Sequence, residues 1–222
     1  MKMKPFVYNP PVLPLDIIHI DSSLVVLNKP SGLLTVPGRS PDLSDSLLSR
    51  VKAQIFGTLL VHRLDLDTSG IIVFARTASA QTSLGKQFEA RKVKKKYLAR
   101  VTGHINNQTG TINLPIKVDW PNRPRQKICF EEGRAAITNY KVLKYEKNNF
   151  SLVELYPVTG RSHQLRLHMK SIGHPIYGDP LYSNDKNLQN CDFLNLHSSE
   201  IAFMHPKTNH PCNFVSPTPS YF

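Results

Sequence analysis

Apolar runs of strand length dominate this chain, and they lack the regular helical crossovers that a purely parallel sheet requires. Ser23–Asn28, Ile71–Ala75, Tyr97–Val101, Ala136–Leu143 and Phe150–Tyr156 read as strands, with Leu196–Met204 and Cys212–Val215 adding two near the end. Three stretches carry a helical period. Ser44–Phe56 sets Leu47, Leu48, Val51 and Ile55 on one face. Ala78–Ala90 follows Thr77, a suitable N-cap. Gln164–Ile172 repeats Leu165, His168, Met169 and Ile172 at i, i+3, i+4 and i+7, and Gly173 and Pro175 stop it. Strands that outnumber helices in this order predict an α+β fold with a mixed or antiparallel sheet.

The ends read differently. Residues 1–14 are interrupted by Pro5, Pro10, Pro11 and Pro14 and are expected to be an extended tail. Residues 216–222 have the same character, which leaves 15–215 as one expected catalytic domain. At 222 residues and 40% hydrophobic composition, that span is long enough to bury a core. Three widely spaced cysteines, Cys129, Cys191 and Cys212, argue against a disulfide framework, so a reducing, cytoplasmic setting is expected. No C-x-x-C or H-x-x-x-H pair supports a metal. The start of the chain has no signal-peptide core, and no run of 18 apolar residues is present to span a membrane.

The charge balance points to a partner. Lys and Arg number 28 against 16 Asp and Glu, a formal net charge of +12, which favours a polyanion such as nucleic acid.

Four segments carry candidate chemistry. In Val61-His62-Arg63-Leu64-Asp65-Leu66-Asp67-Thr68-Ser69-Gly70, charged residues crowd a junction between apolar runs and so are expected on a loop. A polar turn stabilised by Asp67 would explain the same letters. Asp65-Leu66-Asp67-Thr68 also matches the paired aspartates of Mg-dependent phosphatases, but the interrupted strand before it and the shortage of acids weigh against that. In Arg91–Lys96 five of six residues are basic, as befits a helix C-terminus, and Tyr97 follows them into a strand. In Thr159–His168, Ser162 is expected to cap a helix, while Arg161 and His163 place cations at its start, which makes sense if an anion binds there. His168 falls on the apolar face and is assigned to structure.

Asp119–Lys127 gathers Trp120, Arg123, Arg125 and Lys127 with two prolines. Such a stretch is not expected to form regular structure. It reads either as an exposed loop that binds phosphate and stacks on a base, or as a surface loop anchored by a buried Trp.

Taken together, these motifs resemble the RluA family of RNA pseudouridine synthases. Val25–Leu34, His62-Arg63-Leu64-Asp65 with Thr68-Ser69-Gly70, Lys95–Ala99, Thr159–Arg166 and Gly173–Asp179 match the family's motifs in order, and the likeness extends to His197 and His205-Pro206. The resemblance implies a pseudouridine synthase fold, a central mixed, mostly antiparallel sheet flanked by helices and loops, with a catalytic cleft across it and no S4 domain before it. It implies an isomerase that needs no cofactor or metal and acts as a monomer on RNA, not on DNA or a membrane. Ser31–Arg39 and Trp120–Lys127 match most closely the branch that modifies both a tRNA anticodon stem-loop and 23S rRNA. Action on one RNA class only, or a non-catalytic RNA-binding role, are the alternatives.

The resemblance also implies roles. Asp65 is the catalytic carboxylate, Arg166 its ion-pair partner and Tyr97 the neighbour of the uracil. Leu165 gives apolar contact to the base, and Arg63 fills the space that an extruded base leaves. His62, Arg161, His163, Arg123, Arg125 and Lys127 are expected to contact RNA.

Overall fold

A computed structural model describes residues 7–183 and 191–222, so the first six residues of the expected N-terminal tail, and 184–190 of the expected domain, lie outside the described residues. Twelve strands are present among the described residues: β1 (Asp16–Ile20), β2 (Leu24–Lys29), β3 (Leu59–Leu60), β4 (Ser69–Ala75), β5 (Lys94–Thr102), β6 (Thr109–Asn113), β7 (Ile116–Val118), β8 (Gln126–Ile128), β9 (Ile137–Glu146), β10 (Phe150–Pro157), β11 (Leu196–Met204) and β12 (Pro211–Val215). The helices are α1 (Leu47–Gln54), α2 (Ala78–Glu89) and α3 (Gln164–Ser171). Ten strands form one sheet in the order β1-β2-β4-β11-β5-β10-β9-β6, with β3 paired to β4 and β12 to β11. Of these pairings only β11 with β4 is parallel, so the sheet is mixed and mostly antiparallel, as expected.

The middle of the sheet is covered on both faces. Every residue of β4 is buried. Ile71, Val73 and Ala75 pack with Ala80 and Leu84 of α2, whereas Ile72 and Phe74 pack with Leu47 and Val51 of α1. Each large apolar side chain buried this way contributes about 1.5–3 kcal/mol. Leu165 and Met169 of α3 cover Ala99 and Val101 of β5 and Leu155 of β10. Tyr97 packs against both the α1 and the α3 cluster, so those two helices share a face and Tyr97 stands at their seam.

Local chemistry explains the helix limits. Thr77 Oγ1 accepts from the Ala80 amide at 3.1 Å, the expected cap of α2. α1 begins later than the expected Ser44, and Ser46 caps it, accepting from the Ser49 amide at 3.2 Å. Gly173, at φ +89°, ends α3: its amide bonds to the Lys170 carbonyl and the His174 amide to Met169, both at 3.0 Å. The expected Ser162 cap does not form. His163 takes the N-cap position in the left-handed region at φ 53°, without a side-chain capping bond.

The Pro-rich loop also departs from expectation. Gln126 and Lys127 belong to β8, which pairs with β7, and Trp120–Asn122 forms a 3₁₀ turn. The prolines punctuate only the tip of this hairpin, so both arms keep their ladder. Near the ends of the chain, the Tyr8 hydroxyl donates to the Asp45 carbonyl at 2.8 Å, and the Tyr221 hydroxyl meets Ser69 Oγ at 2.8 Å.

Candidate active site

The His62–Asp67 segment lies on the loop between β3 and β4, as expected. What fixes its shape is a set of side chains at the end of β2 and just after it, Lys29, Ser31 and Thr35, hydrogen-bonded to its main chain. Lys29 is fully buried and its Nζ donates to the carbonyls of Pro30 at 2.8 Å, Leu33 at 2.7 Å and Leu66 at 2.9 Å. Thr35 Oγ1 donates to the Leu64 carbonyl at 2.8 Å and accepts from the Leu64 amide at 3.2 Å. Ser31 Oγ donates to the Asp67 carbonyl at 2.7 Å. Leu64 plugs the α1 cluster. The loop is therefore clamped through its main chain, and none of these bonds engages the Asp65 carboxylate.

At the loop's exit, β4 runs against β11 through the pairs His197–Ser69 and Ser198–Gly70. Gly70 has φ +106°, and a Cβ there would sit 2.2 Å from the Ser198 carbonyl oxygen. Only glycine permits so close an approach.

Arg166 points from α3 to this loop. Its Nη1 lies 3.4 Å from Asp65 Oδ2. The tighter partner is Asp179: Nε and Nη2 each donate to its carboxylate at 2.8 Å. Asp179 is fully buried, and its Oδ1 also accepts from the amides of Leu181 at 2.9 Å and Tyr182 at 3.1 Å. Burial opposes the charge on Arg166, but the hydrogen bonds of Asp179 and the charges of Asp179, Asp65 and Asp67 hold it above the ordinary arginine range. Asp65 keeps 27% of its side chain exposed, against 2% for Arg166. The result is one accessible carboxylate beside a rigid buried cation.

The surrounding groups are tuned by desolvation. Burial pushes the Tyr97 phenol up to about 12, with a hydrogen bond from Ser198 opposing and the Asp65 charge adding. Burial likewise raises the Asp67 carboxyl, with Arg166 and Lys29 opposing. For Lys29, burial pulls the ammonium down to about 7, while Asp67 and Asp65 push back. Three donated bonds need all three N–H groups, so the cation is the form that fits this cage.

The other expected residues separate. Leu165 is buried in the cluster that Tyr97 packs against, and Arg63 is exposed on the loop, with no ion-pair partner among the described residues. His62 turns away: its ring stacks on Phe88 at 4.8 Å, and Nε2 accepts from the Val73 amide at 3.0 Å. That bond continues the β3–β4 ladder, so a contact between His62 and RNA is not supported. His163 is not a cation waiting for an anion. Burial lowers its pKa, and Nδ1 lies 2.9 Å from the Tyr182 hydroxyl, which itself accepts from the Gln126 amide at 2.7 Å. Arg161 is partly exposed and donates from Nε to the Ala135 carbonyl at 3.2 Å. His168 is structural, as expected, fully buried between Thr138 at 2.9 Å and the Leu114 carbonyl at 3.0 Å.

On the β7–β8 hairpin, Trp120 is 61% exposed, which discards the buried-anchor reading. The Arg123 guanidinium lies 3.2 Å over its ring. Arg123 and Lys127 are exposed, and Arg125 is partly so. Tyr182 ties this hairpin to the site, since its ring also lies 5.4 Å from the Arg166 guanidinium.

Sequence reasoning gave no role to Asp179, Lys29, Thr35 or Tyr182. Asp179 stood within a matched motif, and that was the signal available for it.

Comparison with known proteins agrees with the architecture. Residues 23–171 match the family described as RNA pseudouridylate synthase. The chain is 50% identical over 211 residues to the dual-specificity RNA pseudouridine synthase RluA of Pasteurella multocida, covering 95% of this chain and 96% of that one. It is 45% identical over 211 residues to the RluA of Escherichia coli strain K12, with the same coverage of 95% and 96%. Among solved structures, human RNA pseudouridylate synthase domain containing 1 superposes with a TM-score of 0.76 at 29% identity, over 97% of this chain and 86% of that one. The phosphatase alternative is thereby displaced, and the chain belongs to the RNA pseudouridylate synthase family.

Proposed function

We propose that this protein isomerises specific uridines to pseudouridine in structured RNA loops, both in the tRNA anticodon stem-loop and in 23S rRNA. The observation that carries the reading is the accessible Asp65 carboxylate, 3.4 Å from an Arg166 that Asp179 holds rigid. The reaction breaks the bond between ribose and uracil N1 and rejoins the base through C5. It needs an ionised carboxylate beside the sugar and a dry seat for the base. Asp65 supplies the carboxylate, either attacking the sugar or abstracting a proton from it. Arg166 orients that carboxylate through the 3.4 Å contact. Leu165 and the Tyr97 ring seat the uracil. Tyr97 rests as a neutral phenol, so it can accept the C5 proton only by passing on its own.

Extruding the uridine costs a few kcal/mol, and Arg63, exposed two residues before Asp65, fills the vacated stack. Arg123, Arg125, Lys127 and Arg161 hold the phosphates of the stem. The dual target is supported by relatives named for dual specificity that match almost end to end. The reading extends to a cofactor-free monomer working in the cytoplasm through residues 15–215. Among the described residues, no helix is long and apolar enough to cross a membrane.

Tritium release from 5-tritiated uridine in anticodon stem-loop RNA and in 23S rRNA fragments tests the proposal. Release from both is expected, with none from Asp65→Asn, which still binds RNA. Release from one class alone would reduce the proposal to single specificity. Turnover by Asp65→Asn would remove that residue from the mechanism. Arg63→Ala should slow extrusion, read by the fluorescence of a neighbouring 2-aminopurine, more than it weakens initial binding. Equal losses would make Arg63 a plain phosphate contact.

A further inference from the structure

Resting on the reading of an RNA substrate, we infer that the groove where β5 begins is a second anchoring site, and that Lys95 there grips a phosphate of the substrate strand next to the target uridine. The basic run Arg91–Lys96 has no part in the mechanism above, yet it is placed where the strand must pass. A groove of about 450 Å³ opens there, and Arg91, Lys94, Lys95, Lys96, Val158 and Glu200 are among the residues that line it. β5 and β10 are paired as far as Tyr97–Leu155, and then the chain after β10 turns away through Val158 to Thr159 and Gly160. Lys95 spans that gap. Its Nζ lies 3.4 Å from the Thr159 carbonyl and 3.8 Å from where a Cβ on Gly160 would sit.

The lysines of this run are not equivalent. Lys96 is neutralised by Glu200, 2.5 Å away, and by Glu154 at 3.8 Å. Lys95 has no carboxylate within ion-pair distance among the described residues, although it is largely removed from solvent. Burial lowers its pKa, the mark of an ammonium that lacks a counter-charge. A phosphate arriving in the groove supplies that charge, and Lys94 and Arg91, both exposed, flank its path. Alternation along β5 puts Lys95 on the same face as Tyr97, two residues or roughly 6.6 Å away. That is the reach of about one extended nucleotide, so the contact falls on a phosphodiester neighbouring the extruded uridine.

The test measures binding of anticodon stem-loop RNA across a salt series, in an Asp65→Asn background that prevents turnover. Lys95→Met keeps the apolar stem and removes the charge. It is expected to flatten the slope of log K against log salt by about 0.7–0.9, the loss of one phosphate contact. Lys95→Arg should restore the slope. A neutral methylphosphonate beside the target uridine should flatten the slope by the same amount with Lys95 present, and have no further effect on Lys95→Met. An unchanged slope in Lys95→Met overturns the inference. So does a wild-type slope that no neutral linkage within about two nucleotides of the target alters, which holds even if the Met variant fails to fold. Tritium release by the wild-type enzyme is scored separately. Release with an unchanged Lys95→Met slope sinks the groove alone, and a flattened slope without any release sinks the synthase reading alone.

Discussion

Asp179 grips Arg166 through two hydrogen bonds of 2.8 Å, while Asp65 touches the same guanidinium at 3.4 Å and stays partly open to solvent. The two carboxylates share a cation but divide the work. Asp179 answers a buried charge, and Asp65 keeps part of its carboxylate accessible to solvent.

That division predicts opposite outcomes for two variants. Asp179→Ala leaves Arg166 buried without its main partner and should destabilise the fold by about 3–5 kcal/mol. Asp65→Asn removes a long, partly exposed pair and should change stability by less than about 1 kcal/mol while abolishing tritium release. Urea unfolding of both variants, at matched denaturant slopes, makes the comparison. Equal losses of stability would mean that Asp65 is as structural as Asp179.

Lys29 makes a second prediction. Three main-chain carbonyls, those of Pro30, Leu33 and Leu66, converge on its ammonium. Lys29→Met fills the space but leaves these acceptors unpaired at about 1–3 kcal/mol for each one that stays dry. The expected result is a loss of about 3 kcal/mol or more, together with faster hydrogen exchange in the Leu64–Thr68 loop. A variant of wild-type stability would show that the cage is not what orders the loop.

His62 sets a pH dependence. Burial first, and then the charge of Lys95, lower its pKa to about 3 from an ordinary 6.5. The folded protein thus binds fewer protons than the unfolded chain between those values, so stability falls as pH drops through 6.5 towards 3. About 2 kcal/mol should be lost between pH 7 and pH 5 from this group, and His197, also lowered by burial to about 4, acts in the same direction. His62→Gln keeps an acceptor for the Val73 amide and should flatten the profile. A profile as steep as that of the wild type would assign the acid loss elsewhere.

Much of this was legible in the sequence where the signal is local. Thr77 before an amphipathic run gave the cap of α2, and Gly173 gave the end of α3. The charged junction around Asp65 was readable because polar residues interrupt two apolar runs. Other features depend on contacts far apart in the chain. Nothing local marks Lys29 as buried, because its partners are carbonyls, and a carbonyl leaves no trace in the sequence. Asp179 reads as a turn residue beside Gly178 until Arg166, 13 positions earlier, is seen to fold onto it. Serine at 162 has the chemistry of a cap, but the chain enters α3 through His163 in the left-handed region, which no rule for side-chain caps anticipates. β1 is an edge strand with mostly exposed positions, and β3 has only two residues, so neither carries a periodic pattern.

The β7–β8 hairpin yields the last prediction. Trp120 is exposed, and Arg123 already stacks on one face of its ring, which leaves the other face open to a base. Stacking of that kind contributes about 1–3 kcal/mol per base and tolerates any base. Trp120→Ala should therefore weaken binding of stem-loop RNA by that amount without shifting the unfolding midpoint, since the ring supports no core. Lys127→Ala, by contrast, should lower the salt slope by about 0.7–0.9, because it removes a charge and not a stacking surface. The two effects should add, as one acts on a base and the other on the backbone. If Trp120→Ala binds with wild-type affinity while Lys127→Ala does not, the hairpin is an electrostatic guide, and the Trp120 ring serves only to hold Arg123 in place.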